Sequence, residues 1–353
     1  MAAPLPTVLV IPTGIGCAQG GFAGDALPVA RLLAAASGCL ITHPNVMNGA
    51  ALYWSDPRIQ YVEGWALDRL VAGQLALRPV RHQRVGLLLD AAIEPELRAR
   101  QLQAADGCRA ALGLEIGPVV TTDAPLGVSL CRGPSGASWG WLQRPDALLR
   151  GGEALQAAGA TAIAVVARFP DDGGSDELAA YRAGSGVDAL AGAEAVISHL
   201  LSDHLGLPCA HAPALSPLPL DPYLDPRAAG EELGHTFLPC VLVGLSRAPD
   251  LLPSTGGPIG SADLITAEDL GAVIAPAGAL GGGAVIAAVE RGVPLICVAN
   301  PCVLEVTAEA LDLTAGGGTV LQAASYLEAA GLVLALREGL HPASLGRPLP
   351  PLV

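Results

Sequence analysis

The sequence predicts an α/β fold: Rossmann-like layers around a mostly parallel sheet, arranged as two α/β lobes with a cleft between them. Three observations lead there. Short apolar runs of strand length alternate with longer segments of helical period along most of the 353 residues, the pattern of repeated βαβ units. The chain is 51% hydrophobic but only 3% aromatic, so its core must come from Ala, Val, Leu and Ile, which suits strands covered on both faces by helices. One stretch, 271–301 (GAVIAPAGALGGGAVIAAVERGVPLICVANP), reads strand, glycine loop, helix, turn, strand.

In chain order, Val8–Pro12 is a short apolar strand, and Asp25–Ala36 carries apolar residues at helical spacing. Arg84–Leu89 is a strand, followed by a long helix over Pro95–Leu112. Pro118–Thr122 is a strand ending at Asp123, Pro145–Ala158 is helical, and Thr161–Ala167 (TAIAVVA) is a buried strand. Val187–Leu205 has the apolar face of a long helix, and Cys240–Leu245 reads as a strand. After the 271–301 unit come helical segments near Leu304–Leu311 and Val320–Leu336. The polar, glycine-rich 171–186 reads as an exposed loop, and the proline-rich 208–226 shows no period. The expected domains are an N-terminal lobe (1–150), a C-terminal lobe (151–340) holding the glycine-loop unit, and a proline-rich tail (341–353).

Composition removes several chemistries. A net charge of −14 without a basic patch argues against nucleic acid and against an acidic membrane surface. All 19 basic residues are arginine. A chain without lysine can form no Walker A site, no Schiff base with pyridoxal phosphate and no Ser–Lys dyad. The cofactor is otherwise unknown from sequence. The eight cysteines match no zinc spacing and are expected to be reduced. The first residues lack the basic start of a signal peptide, and no apolar run is long enough to span a bilayer. These features point to a cytoplasmic protein, and a homo-oligomer stays open.

Candidate site residues cluster where strands end. After the first strand come Thr13, Gly14, Gly16, Gly20 and Gly21, a loop whose amides could cradle an anion. Asp25 follows, either capping the next helix or acting as a base. His43, Asn45 and Asn48 lie in a loop at another strand end, and His43 is the strongest acid–base candidate. Glu63 reads as a helix cap. Asp123 closes a strand, where carboxylates often do chemistry. Ser135 and Ser138 lie in a small-residue loop that imitates G-x-S-x-G only in part, because Ala137 replaces the last glycine. His199, Asp203 and His204 read as a solvated helix face rather than a metal site. Gly234–Thr236 and Arg247 flank the Cys240–Leu245 run, with Arg247 a free positive charge or a surface ion pair. Gly278, Gly281, Gly282 and Gly283 form the second glycine loop, and Asn300 ends the following strand. No metal site is predicted.

The motifs PTGIG, GGFAGDALPVARLL, THPNVMNGAALYW, YVEGWALDR, VTTDAPLG, GHTFLPCVLVGLSRAP and LGGGAVIAAVERGVPLICVAN together resemble an uncharacterised family of cyanobacterial and plastid proteins, from about residue 8 to 310. The resemblance implies a photosynthetic source and a soluble protein of cytosol or stroma, and carries no reaction. More locally, the last βαβ unit is similar to the donor-binding half of two-domain nucleotide-sugar glycosyltransferases. Gly292-Val293-Pro294 matches that pattern, while Glu290 stands closer to Gly292 than the pattern has it. The expectation is an enzyme acting on a small phosphorylated or carboxylated metabolite, a transferase or isomerase before a hydrolase. His43 would work with Asp25 or Asp123, and the glycine loops and Arg247 would hold the anion. The alternative is a non-catalytic metabolite sensor or assembly factor using the same loops.

Overall fold

The computed structural model describes residues 3–22, 24–49, 55–171, 175–232, 237–254, 264–314, 318–349 and 351; Gly234–Thr236 and part of the 42–54 motif lie outside them. The chain begins with β1 (Leu5–Leu9), α1 (Leu27–Ser37), β2 (Gly38–Thr42), the one-turn α2 (Pro44–Met47), β3 (Ile59–Tyr61), α3 (Gly64–Val71) and β4 (Leu75–Arg78). Punctuation is local and physical. Pro28 opens α1, whose end is Gly38 at φ +78°, and the next strand starts at that same glycine.

The chain then builds a second unit. It comprises β5 (Val85–Leu89), α4 (Pro95–Leu112), β6 (Ile116–Thr121), the hairpin β7 (Val128–Arg132) and β8 (Ser138–Leu142), and α5 (Pro145–Ala157). There follow β9 (Ala162–Arg168), α6 (Asp176–Arg182), α7 (Ala191–Leu205), β10 (Cys209–Ala214), α8 (Pro226–Glu232) and α9 (Leu238–Leu245). It returns through β11 (Asp250–Pro253) to β12 (Ala272–Pro276), α10 (Gly283–Glu290), β13 (Leu295–Val298), β14 (Val320–Ala323) and α11 (Tyr326–Arg337).

Two parallel sheets result. The first has the order β14-β13-β12-β1-β2-β3 and the second β10-β9-β5-β6. Alternate strand residues point to opposite faces, so each sheet carries two cores. Val8, Ile41 and Val273 pack on the face under α3 and α10, and Leu9, Leu40 and Ile274 on the face under α1 and α11. In the second sheet Leu87, Leu89 and Val166 pack with α9, and Leu88, Ile163 and Val165 with α5 and α7. Antiparallel β4 and β11 lie where the chain leaves the first sheet and re-enters it. Strands from both sides of residue 150 share the second sheet, and the first sheet joins the two ends of the chain. The change of lobe thus falls near residues 80 and 250, not at 150.

Several expected elements differ. Cys240–Leu245 belongs to helix α9: the run is apolar throughout, so its sequence has no periodicity to distinguish helix from strand, and Pro239 starts the helix. Val320–Leu336 splits into β14 and α11, because Ser325 caps the helix by accepting from the Glu328 amide. Leu304–Leu311 contains a single bridge at Val306 and turns, not a helix. The proline-rich stretch holds β10, and the expected 171–186 loop holds α6, capped by Ser175. Asp25 does not cap α1, whose cap position is Ala26.

Candidate functional site

Ligands of open parallel sheets collect beyond the carboxyl ends of their strands. In the first sheet the chain leaves β1, β2 and β3 through loops that present Thr13, His43 and Glu63 on one side of a cleft. The second lobe supplies the opposite side from the start of α7 and from β10: Asp188, Glu194, Ser198, His199 and His211. The cavity between them measures about 110 Å³. Phe22 and Phe237 line its apolar margin.

The loop after β1 is fixed from behind. Gly14, Gly16 and Gly20 take left-handed φ of +72°, +57° and +89°. Asn300 accepts from the Gln19 amide at 2.9 Å and donates to the Gln19 carbonyl at 2.8 Å. Asn45 donates to the carbonyls of Ile11 and Gly20, each at 3.1 Å. Asp25 accepts from the Gly20 amide at 2.7 Å and pairs with Arg227 at 3.0 Å. That guanidinium also lies 4.1 Å over the Phe22 ring, whose other neighbour is the stacked Tyr181. Asp25 is therefore a clasp between the lobes rather than a base, and Asn300 is a strut. Burial raises the Asp25 carboxyl against the lowering pull of Arg227 and the Gly20 amide.

His43 is 9% exposed, and its Nε2 accepts from the Ile11 amide at 3.0 Å. An acceptor nitrogen carries no proton, so the neutral ring holds its proton on Nδ1. Burial, helped by the charge of His199, lowers its pKa to about 4. His43 is a fixed hydrogen-bond donor at neutral pH, not a group that titrates there. Glu63 does cap α3, accepting from the Trp65 amide at 2.8 Å, but its other oxygen reaches His199 of α7 at 3.0 Å across the cleft. His199 lines the cleft from an exposed position, so the solvated face expected of this helix reaches the edge of the site; His204, also exposed, pairs with Glu153. Burial pulls the His199 pKa down, and the Glu63 hydrogen bond and charge more than reverse it.

On the opposite wall Asp188 accepts from the Leu190 amide at 2.8 Å as α7 begins. Glu194 and Ser198 follow one turn apart on the same helical face. His211 lies 2.5 Å from Ser198 Oγ through Nδ1 and 3.6 Å from Glu194 through Nε2. Enclosure of the Asp188 carboxyl, then the negative charge of Glu194, push its pKa up to about 7, against the helix amides and His211.

The remaining expected residues lie elsewhere. Asp123 is exposed in a two-pronged pair with Arg150 at 2.7 and 2.8 Å, which holds its carboxyl below the usual range. Ser135 occupies the exposed β7–β8 turn, so the partial G-x-S-x-G is a hairpin and not a nucleophile elbow. Ser138 joins the first glycine loop to α7: its amide donates to the Gly14 carbonyl at 2.8 Å, and its hydroxyl accepts from the Gly192 amide at 3.3 Å. Arg247 is exposed beyond α9 and outside the cleft. Gly278, Gly281, Gly282 and Gly283 do not line the cleft either. At the start of α10 the Ala284 amide donates to the Asp68 carboxylate at 2.7 Å, so a carboxylate of α3 already holds the place expected for a bound anion.

Thr13, Gly21, His43, Asn45 and Asn48 are thus the expected residues that meet in one cavity. Asp188, Glu194, Ser198 and His211 join them without having been anticipated. All eight cysteines are free thiols. Among the described residues no helix is long and apolar enough to cross a membrane.

Residues 6–346 match a family described as protein of unknown function (DUF3326). Over 342 residues the chain is 55% identical to an uncharacterized lipoprotein of Synechococcus sp., covering 97% of this chain and 93% of that protein.

Proposed function

The chain belongs to this family of proteins of unknown function, and we propose that its inter-lobe cleft is the active site of an acid–base enzyme for a small polar metabolite. One observation carries the reading: a buried histidine lowered to about 4 and a carboxyl raised to about 7 line the same small cavity. Titratable groups pushed apart by their surroundings are how one site runs acid and base steps at neutral pH. Asp188, beside Glu194, carries the proton. His43 donates a hydrogen bond from Nδ1 to a substrate oxygen and polarises it. Isomerisation or group transfer by proton movement fits these parts.

Asp188 also accepts from the Leu190 amide just ahead of α7, and that bond alone would explain its position. Asn can accept the same bond but moves no proton. The chain should therefore exchange solvent deuterium into a small metabolite in D₂O, read by mass spectrometry. Asp188→Asn should lower that rate about a hundredfold or more with an unchanged melting temperature. With Asp188 as the acid, the rate should decline as pH rises through about 7. An Asp188→Asn variant that exchanges at the wild-type rate removes the proposal. Two ion pairs bridging the lobes, Glu63–His199 and Asp25–Arg227, favour a second reading, a sensor whose lobes close on a ligand. Saturable binding with no exchange in either protein is its signature.

The relative's name bears on the N-terminus. Lipidation of a bacterial lipoprotein follows cleavage of an apolar segment just before a cysteine, and here Gly16-Cys17 follows such a run. Cleavage there would remove β1, which is paired on one side with β12 and on the other with β2. Cys17 itself is 1% exposed. We read Cys17 as unprocessed, and peptide mapping of the protein from its native cell should recover an unmodified fragment running through residues 5–17. A lipid-bearing N-terminal Cys17 would overturn this.

A further inference from the structure

The two walls of the cleft have opposite hydrogen-bonding sense. On the first lobe His43 is nine-tenths buried, with Nε2 taken by the Ile11 amide. Its Nδ1–H has no protein partner among the described residues. Asn48 accepts from Tyr61 through Oδ1, which leaves its amide hydrogens to donate. The second lobe presents the acceptors Asp188 and Glu194.

The charges are equally lopsided. Glu63 faces His199 at 3.0 Å and Glu194 faces His211 at 3.6 Å, so both histidines already face a carboxylate, and Asp188 adds a third acidic group to the lining. Among the described residues no arginine lines the cavity, and the chain has no lysine. A phosphate or carboxylate entering here would meet carboxylates without a fixed cation to offset them. An ammonium group would find the reverse. A ligand of a few heavy atoms fits the cavity of about 110 Å³.

We propose that the cleft selects a small amine that also carries a hydroxyl or carbonyl oxygen, with the ammonium group against Asp188 and Glu194 and the oxygen against the His43 Nδ1–H. This rests on the cleft being the ligand site of the acid–base reading, but it requires no turnover to be seen. It replaces the anionic metabolite expected from the glycine loops.

The test is ligand-observed NMR on the full chain with ethanolamine, ethylamine, ethylene glycol, acetate and inorganic phosphate. Ethanolamine should bind about tenfold more tightly than ethylamine or ethylene glycol, a difference of about 1.4 kcal/mol. Acetate and phosphate should not displace it. Glu194→Gln should weaken ethanolamine about tenfold, and Asp188→Asn, which can still accept from the Leu190 amide, should do the same. Phosphate or acetate competing for the cleft overturns the inference, and so does ethanolamine binding that neither substitution changes. Ethanolamine binding without deuterium exchange into any amine would sink the acid–base reading and leave the amine selection standing. Exchange into an anionic metabolite alone would do the opposite.

Discussion

The two glycine loops look alike in sequence and end differently in the fold. Each follows a strand of the first sheet and leads towards a helix. The loop after β1 opens onto the cleft through Thr13 and Gly21. It is held from behind by side chains from distant parts of the chain: Asn45, Asn300 and Arg227. The loop before α10 is closed by Asp68, whose carboxylate occupies the helix start. A glycine loop supplies amides that an anion can approach, but whether the place is vacant depends on which side chain the rest of the fold brings there. Asp68 is 216 residues away in sequence from the amide it meets.

The largest expected effect separates the loops by rigidity. A methyl group at Gly21 would lie 2.2 Å from the Cys17 carbonyl oxygen and 3.1 Å from the Cys17 amide nitrogen. Both are backbone atoms that cannot rotate away. Gly21→Ala should destabilise by about 3 kcal/mol, the upper end for overpacking, and should weaken any cleft ligand. Urea unfolding measures the first effect and the NMR titration the second. A variant as stable as wild type would mean that this loop yields, and the contrast between a braced and a plugged loop would lose its first half.

The second half is tested by taking out the plug. Asp68→Ala removes a charge-assisted bond to a helix N-terminus and should destabilise by about 1–2 kcal/mol. It should also expose the Ala284 amide, so that inorganic phosphate raises the melting temperature of Asp68→Ala and not that of the wild type. Equal stabilisation of both proteins by phosphate would place the anion somewhere other than this helix start.

The same contrast explains what could be read from the chain. The alternation of short and long apolar segments marked most elements, because parallel strands buried on both faces leave unmistakable runs such as Ala162–Ala167. Cys240–Leu245 misled for a related reason: a mostly buried helix can also be a continuous apolar run. Within the site, His43, Asn45 and Asn48 were legible because they sit beside a strand end. Asp188, Glu194 and His211 were not, since each has a local reading that satisfies the sequence: a cap, a first-turn carboxylate that complements the helix dipole, and a residue in a proline-rich stretch. Only the packing of α7 against α3 brings them opposite His43. A histidine between small apolar residues, as in Cys209–Ala214, was the one available hint of a polar group turned inward from a strand.

The smallest effect is expected at Gly282, and it is informative because it should be nearly nothing. Gly282 holds the cap position of α10 at φ −76°, a conformation open to any residue, and a methyl group there would meet no atom within 4 Å. Two modest terms oppose each other. Alanine restricts the unfolded chain and so stabilises by about 0.4–1 kcal/mol. It is also a poorer helix cap than glycine, by an amount of similar size. Gly282→Ala should therefore leave stability within about 0.5 kcal/mol of wild type and leave ligand affinity in the cleft unchanged, as measured by urea unfolding and the ethanolamine titration. A loss of affinity would mean that the second glycine loop reaches the site after all, and that the difference between the loops is one of degree.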